Sequence, residues 1–198
     1  MSDSTTSPGL IGGRLSIDFL NELGSSDFSW EELLRFLLVT RIISSERSAQ
    51  LLALTQNDPR SAAALLAKAR GLHAALAEIF GSLIRKEVLL HNWIEPINEV
   101  LRITEGHDEL LQQNGKWGLE FVAREGGLEW LLAAIARSAA EMIAEGASAR
   151  LRTCSNPSCG LFFYDTSRTR RRRWCSMTRC GNRHKVAAFS RRHAAGRH

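Results

Sequence analysis

The chain has no apolar run long enough to span a membrane. Residues 1–15 carry neither a basic start nor an apolar stretch of signal-peptide length. Export and membrane insertion are therefore not expected, and the expected location is the cytoplasm. No Gly-rich phosphate loop, Ser/His/Asp arrangement or paired-carboxylate pattern stands out, so a non-enzymatic protein is expected. Internal repeats are lacking too, and the arginines are the one biased run. Two further scarcities are local. Cysteine is absent until residue 154, and residues 150–198 hold a single acid, Asp165.

All four cysteines fall within 27 of the 198 residues, as Cys154-x4-Cys159-x15-Cys175-x4-Cys180. Two close pairs joined by a longer loop have the spacing of a four-thiolate zinc site. Each pair can bind as a knuckle, and the loop brings both to one ion. Two disulfides would need an exported chain, which the first residues do not suggest. Four thiolates leave no open coordination position, so the zinc is expected to be structural, not catalytic. The metal requires reduced thiols, which also agrees with the cytoplasm.

The same segment carries 12 Arg and one Lys against Asp165, a charge of +12, while the rest of the chain carries −7 within an overall +5. Such asymmetry points to a polyanionic partner. Arg168, Arg170, Arg171, Arg172 and Arg173 precede Cys175; Arg179, Arg183, Lys185, Arg191 and Arg192 flank or follow Cys180. Arginine suits bidentate phosphate contact. These ten residues are the candidate nucleic-acid contacts, with DNA the expected polymer. RNA binding, or a basic surface that docks on protein, is the alternative, because charge alone does not separate them. Phe162, Phe163, Tyr164 and Trp174 could stack on bases, but a small module needs them first for its own core. A helix is expected from Gly181 to about Arg192, and it is the candidate for a DNA groove. His184, His193 and His198 are expected to be exposed or to meet phosphates. Removing the metal is expected to unfold residues 150–192 and largely spare the rest.

The strings Cys154-Ser-Asn-Pro-Ser-Cys159, Arg172-Arg173-Trp174-Cys175 and Cys180-Gly181-Asn182-Arg183 resemble the CGNR zinc finger, a family named for the last four residues. The resemblance implies that Cys154, Cys159, Cys175 and Cys180 are the zinc ligands. Members usually join this finger to an N-terminal ABATE domain, which implies a stress-induced transcription regulator. Ile17-Asp18-Phe19-Leu20-Asn21 is similar to the opening of ABATE-type proteins, with Glu22 where threonine is usual.

The composition before the finger, with 44% apolar and 24% charged residues in the whole chain, is globular. Residues 1–149 are expected to form a mainly helical domain with a small β-hairpin, and 150–198 the four-cysteine finger with a basic tail. Ser16 is expected to cap a short helix ended by Gly24. Ser29-Trp-Glu-Glu32 is a capping box, so a helix should start at Trp30 and reach about Ile43. Further helices are expected over about 46–55, 59–90, 96–104 and 128–145, with Asp58-Pro59 and Pro96 as starts. Asn114-Gly115 is expected to turn a hairpin of 109–113 with 117–123. Short pieces at 151–153 and 161–163 should pair across the first knuckle.

Asp18 and Asn21 lie one helical turn apart among apolar residues. They could edge a small-molecule pocket, with Arg70 as a third member, or be buried polar groups with internal partners. His73 on the same long helix as Arg70 is expected to be a core or surface residue. The helical domain is thus expected to sense a ligand or to form a homodimer that pairs two fingers.

Overall fold

A computed structural model describes residues 10–103, 106–113, 116–123, 127–146, 150–183 and 185–186. The fold is mainly helical with two small antiparallel hairpins. The helices are α1 (Leu15–Leu23), α2 (Trp30–Val39), α3 (Ser45–Asn57), α4 (Pro59–Arg85), α5 (His91–Ile103) and α6 (Trp130–Ala144). Strands β1 (Gly106–Gln113) and β2 (Lys116–Ala123) pair from Gly106↔Ala123 to Gln113↔Lys116. Both are longer than expected, and the Asn114-Gly115 turn lies outside the described residues. Strands β3 (Leu151–Thr153) and β4 (Phe162–Tyr164) form the finger hairpin.

The capping box holds. Ser29 Oγ accepts the Glu32 N–H at 3.2 Å and the Ser29 N–H donates to Glu32 Oε2 at 2.8 Å. Asp58 Oδ1 accepts from the Ser61 N–H at 3.2 Å, with Pro59 opening α4 where no N–H is needed.

Helix ends differ from the periodicity. The apolar pattern of α2 runs on to Ile43, but Arg41 turns left-handed (φ 61°) and Ile42 bonds back to the Leu37 carbonyl. Lys86 (φ 60°) ends α4 the same way, with the Glu87 N–H returning to Ser82. These closures satisfy the last carbonyls, so α4 stops short of residue 90. Pro96 lies inside α5 instead of opening it. As the sixth residue of α5 it costs the helix one backbone bond, and the first turn is already formed before it, where the Trp93 N–H bonds to the Leu90 carbonyl. Ser16 does not cap α1, which begins at Leu15. Its hydroxyl is buried 3.2 Å from that of Ser138 on α6.

The main core gathers Ile17 and Phe19 of α1, Leu33 and Leu37 of α2, Leu72, Leu76, Ile79 and Phe80 of α4, and Leu131, Leu132 and Ile135 of α6. Leu151 and Tyr164 of the finger hairpin belong to that core, with Phe162 packed against it. A second cluster holds Phe163, Cys154, Cys175 and Cys180, with Ile11, Cys159, Leu161 and Trp174 around it. The alternation of β4 explains the division: Phe162 and Tyr164 point one way and Phe163 the other. The expectation that these aromatics build the finger's own core therefore holds for Phe163 and Trp174 alone. Phe162 and Tyr164 complete the helical core instead.

Candidate metal centre and basic surface

The first knuckle is a turn between β3 and β4. The Cys154 N–H bonds to the Leu161 carbonyl at 2.9 Å, and the Cys159 N–H to the Asn156 carbonyl at 2.9 Å. Gly160 follows at φ 67°, a conformation that glycine adopts without strain. The second knuckle is a π-helical turn, Met177–Gly181, whose start is capped by Ser176 Oγ accepting from the Arg179 N–H at 3.3 Å. The Cys180 N–H bonds to the Ser176 carbonyl at 3.0 Å. Helical residues continue from Asn182 to Val186 around His184, which lies outside the described residues together with 187–198. Arg191, Arg192, His193 and His198 thus fall beyond the described surface. The knuckles also hold each other: the Cys175 N–H points to Cys154 Sγ at 3.5 Å, and Asn156 Nδ2 to Cys180 Sγ at 3.5 Å.

The four sulfurs lie within 4.8 Å of one another, with Cys159–Cys175 at 3.6 Å and Cys175–Cys180 at 3.8 Å. A tetrahedral zinc with Zn–S of about 2.3 Å sets its ligands about 3.8 Å apart, so the set fits zinc and is far too open for disulfides. Burial pushes the Cys175 thiol well above its ordinary range, and the neighbouring cysteine sulfurs add to it. A dication is what lets such a sealed group of thiols ionise together. Residues 150–193 match the family model of the CGNR zinc finger, and residues 13–146 match the ABATE family, described as "Putative stress-induced transcription regulator". The chain belongs to the ABATE family. Comparison with curated proteins finds no match.

In this ABATE chain the basic residues fall into two sets around Asp165. Its side chain is fully buried. Oδ1 accepts the Ser167 N–H (3.0 Å) and hydroxyl (2.6 Å), and Oδ2 accepts the Arg172 N–H (2.9 Å). Arg152 Nε lies 3.3 Å from Oδ2, close enough for an ion pair but not aligned for a hydrogen bond. Burial works against the charge of Asp165, but these partners outweigh it and hold the carboxyl below its ordinary pKa.

Arg152 donates through Nη2 to the Arg170 carbonyl at 2.6 Å, and Arg150 reaches the Asp165 carbonyl at 3.2 Å. Arg170 itself is left-handed (φ 51°) and closes a turn onto the Ser167 carbonyl. Arg172 lies over the Phe163 ring at 4.8 Å and donates to the carbonyls of Trp174 (2.8 Å) and Cys175. Its guanidinium is therefore committed inside the finger. Arg173 lies 5.3 Å over Trp174. Arg168, Arg170, Arg171, Arg173, Arg179, Arg183 and Lys185 are exposed. The role of Asp165 was not read from the sequence, although its being the one acid among thirteen bases was the available signal.

Asp18 and Asn21 serve the N-terminal segment and β4, while Arg70 holds a different segment. Asp18, 5% exposed, accepts the Gly12 N–H at 2.7 Å, and burial raises its pKa despite that bond. Asn21 pairs with the backbone of Phe162. Arg70 holds the Phe28 carbonyl through Nε (3.0 Å) and Nη2 (2.7 Å). A cleft between α4 and α5, lined by Ala67, Lys68, Gly71, Pro96, Glu99 and Val100, includes none of them. Glu22, at the position where threonine is usual, has its pKa raised by burial and by Asp18, with Arg179 of the finger acting in the opposite direction. No helix among the described residues is long and apolar enough to cross a membrane.

Proposed function

We propose that this ABATE protein is a non-catalytic transcription regulator that binds DNA through its zinc finger. The observation that carries this reading is the burial of Asp165. The finger has one carboxylate, and its own loop consumes it, so the exposed charge of the described finger is cationic. A polyanion meets no repulsive group there, and each neutralised phosphate releases counterions.

Arg168, Arg171, Arg173, Arg179, Arg183 and Lys185 are the phosphate contacts in this reading. Arg150, Arg152 and Arg172 form the frame that presents them. Sites that hold arginines on a rigid scaffold lose less side-chain freedom on binding. The helical stretch that follows Cys180 is the element to enter a groove, while the arginine loop grips the backbone. The ABATE domain supplies regulation, either by taking up a small molecule or by assembling two fingers on one duplex.

Binding of the zinc-loaded protein to labelled random duplex DNA, with a matched RNA, tests the reading. DNA binding that weakens steeply with salt supports it. Preference for RNA would move the function to RNA, and binding to neither polymer would make the arginines a protein-docking surface.

A further inference from the structure

The two family matches meet between residues 146 and 150, yet the packing does not divide there. Strand β4 has two edges. One pairs with β3. The other is closed by the N-terminal segment and α1. The Tyr164 N–H donates to the Gly12 carbonyl at 2.7 Å. The Phe162 N–H donates to Asn21 Oδ1 at 3.0 Å, and Asn21 Nδ2 donates to the Phe162 carbonyl at 2.8 Å. The carboxamide thus stands in for a third strand. Asp18 completes the link by taking the Gly12 N–H, so Gly12 is held from α1 on one side and from β4 on the other.

Space at Gly12 is exhausted. A Cβ there would lie 2.6 Å from Ile17 Cγ2 and 2.9 Å from Asp18 Oδ1. Apolar packing crosses the same junction in both directions. Ile11 enters the cluster around the cysteines, while Leu151 and Tyr164 enter the helical core. Arg14 adds a bridge, over the Tyr164 ring at 4.8 Å and paired with Glu145 beyond α6 at 3.1 Å.

From this geometry we infer that Gly12, Asp18 and Asn21 form a clasp that couples zinc occupancy of the finger to the fold of the helical domain. Zinc fixes the knuckles that β3 and β4 carry. The clasp fixes β4 on α1, and α1 packs on α2, α4 and α6. Coupling of this kind is reciprocal: what zinc adds to the docking of α1, the docking adds to zinc affinity. The clasp runs against the expectation that zinc removal largely spares the rest of the chain, and hydrogen exchange in α1 decides between them. The inference rests on the zinc site and not on nucleic-acid binding, so either can fail alone.

The test uses the full chain. Hydrogen exchange is followed over residues 15–23 in zinc-loaded and chelator-stripped wild-type protein. Exchange in α1 should accelerate at least about tenfold on verified zinc loss, together with the finger. Zinc affinity is then measured by chelator competition for Asn21→Asp, which keeps the acceptor and loses the donor. It should fall by about tenfold. Ile97→Val, a core change in α5 away from the clasp, should lower the melting temperature and leave zinc affinity unchanged. Unchanged α1 protection after zinc loss, or equal zinc affinities for Asn21→Asp and wild type, would overturn the clasp. If Asn21→Asp does not fold, the wild-type exchange experiment decides alone.

Discussion

The carboxylate of Asp165 accepts the backbone N–H of Arg172, seven residues on, at 2.9 Å, across a loop that carries Arg168, Arg170 and Arg171. One buried acid thereby sets the path of a segment whose charges would otherwise repel. Replacing it should cost the finger more than the loss of a surface ion pair, because the donors of Ser167 and Arg172 would be left buried. Asp165→Ala should destabilise the zinc-loaded finger by about 2–4 kcal/mol, read as a lower denaturation midpoint. A change below about 0.5 kcal/mol would show that the loop holds its shape without the carboxylate.

The same carboxylate has a pH signature. Its folded pKa lies below the unfolded value of about 3.9, so its contribution is full above that value and is lost as pH falls through the folded one. Wild type and Asp165→Asn should therefore converge in stability below about pH 4 and differ most above it. Parallel curves across that range would remove Asp165 as the titrating group.

The division of the arginines into contacts and frame makes opposite demands on two variants. Arg168→Ala and Arg171→Ala should each reduce the salt slope of DNA binding by about one and leave the melting temperature in place. Arg172→Ala should lower the melting temperature, since its guanidinium holds the Trp174 and Cys175 carbonyls and covers Phe163. Melting curves alongside binding isotherms at two salt concentrations separate the cases. An Arg172→Ala protein of native stability would return that residue to the contact set.

His73 gives a prediction for the helical domain. It is 3% exposed, its Nδ1 lies 3.1 Å from Ser26 Oγ, and its Nε2 has no hydrogen-bond partner among the described residues. Its ring meets Phe19 and Phe28 edge-on at 5.5 and 5.6 Å. Burial lowers its pKa, so the folded state favours the neutral ring. The stability this represents is present above the unfolded value of about 6.5 and declines as pH falls below it. Urea midpoints at pH 7.5 and 5.5 should fall further for wild type than for His73→Phe. Equal falls would assign the acid sensitivity elsewhere.

Much of this structure could be read one residue type at a time. The capping box at Ser29 and the Asp58-Pro59 start are local chemistry, and the four cysteines carry their ligand role in their spacing. The misreadings are of two kinds, local turns at helix ends and contacts where a distant segment decides. The apolar pattern of α2 does not reveal that Arg41 turns the chain. Pro96 looks like a helix start because nothing in the apolar pattern shows that α5 already begins at His91. Asp18 and Asn21 stand out in the sequence as polar groups one helical turn apart among apolar residues. Their partners, Gly12 and Phe162, lie 6 and 141 residues away, and the second distance has no signature in the sequence. Phe162 and Tyr164 belong to the helical core for the same reason.

The most direct test of the function is fluorescence anisotropy of labelled random duplex DNA with the zinc-loaded protein at 50 and 200 mM salt, beside a metal-stripped control. Six phosphate contacts would weaken binding by about a thousandfold between these salts, and the stripped protein should lose its affinity. Binding that ignores both salt and zinc, or no binding at all, would contradict a zinc-scaffolded phosphate grip.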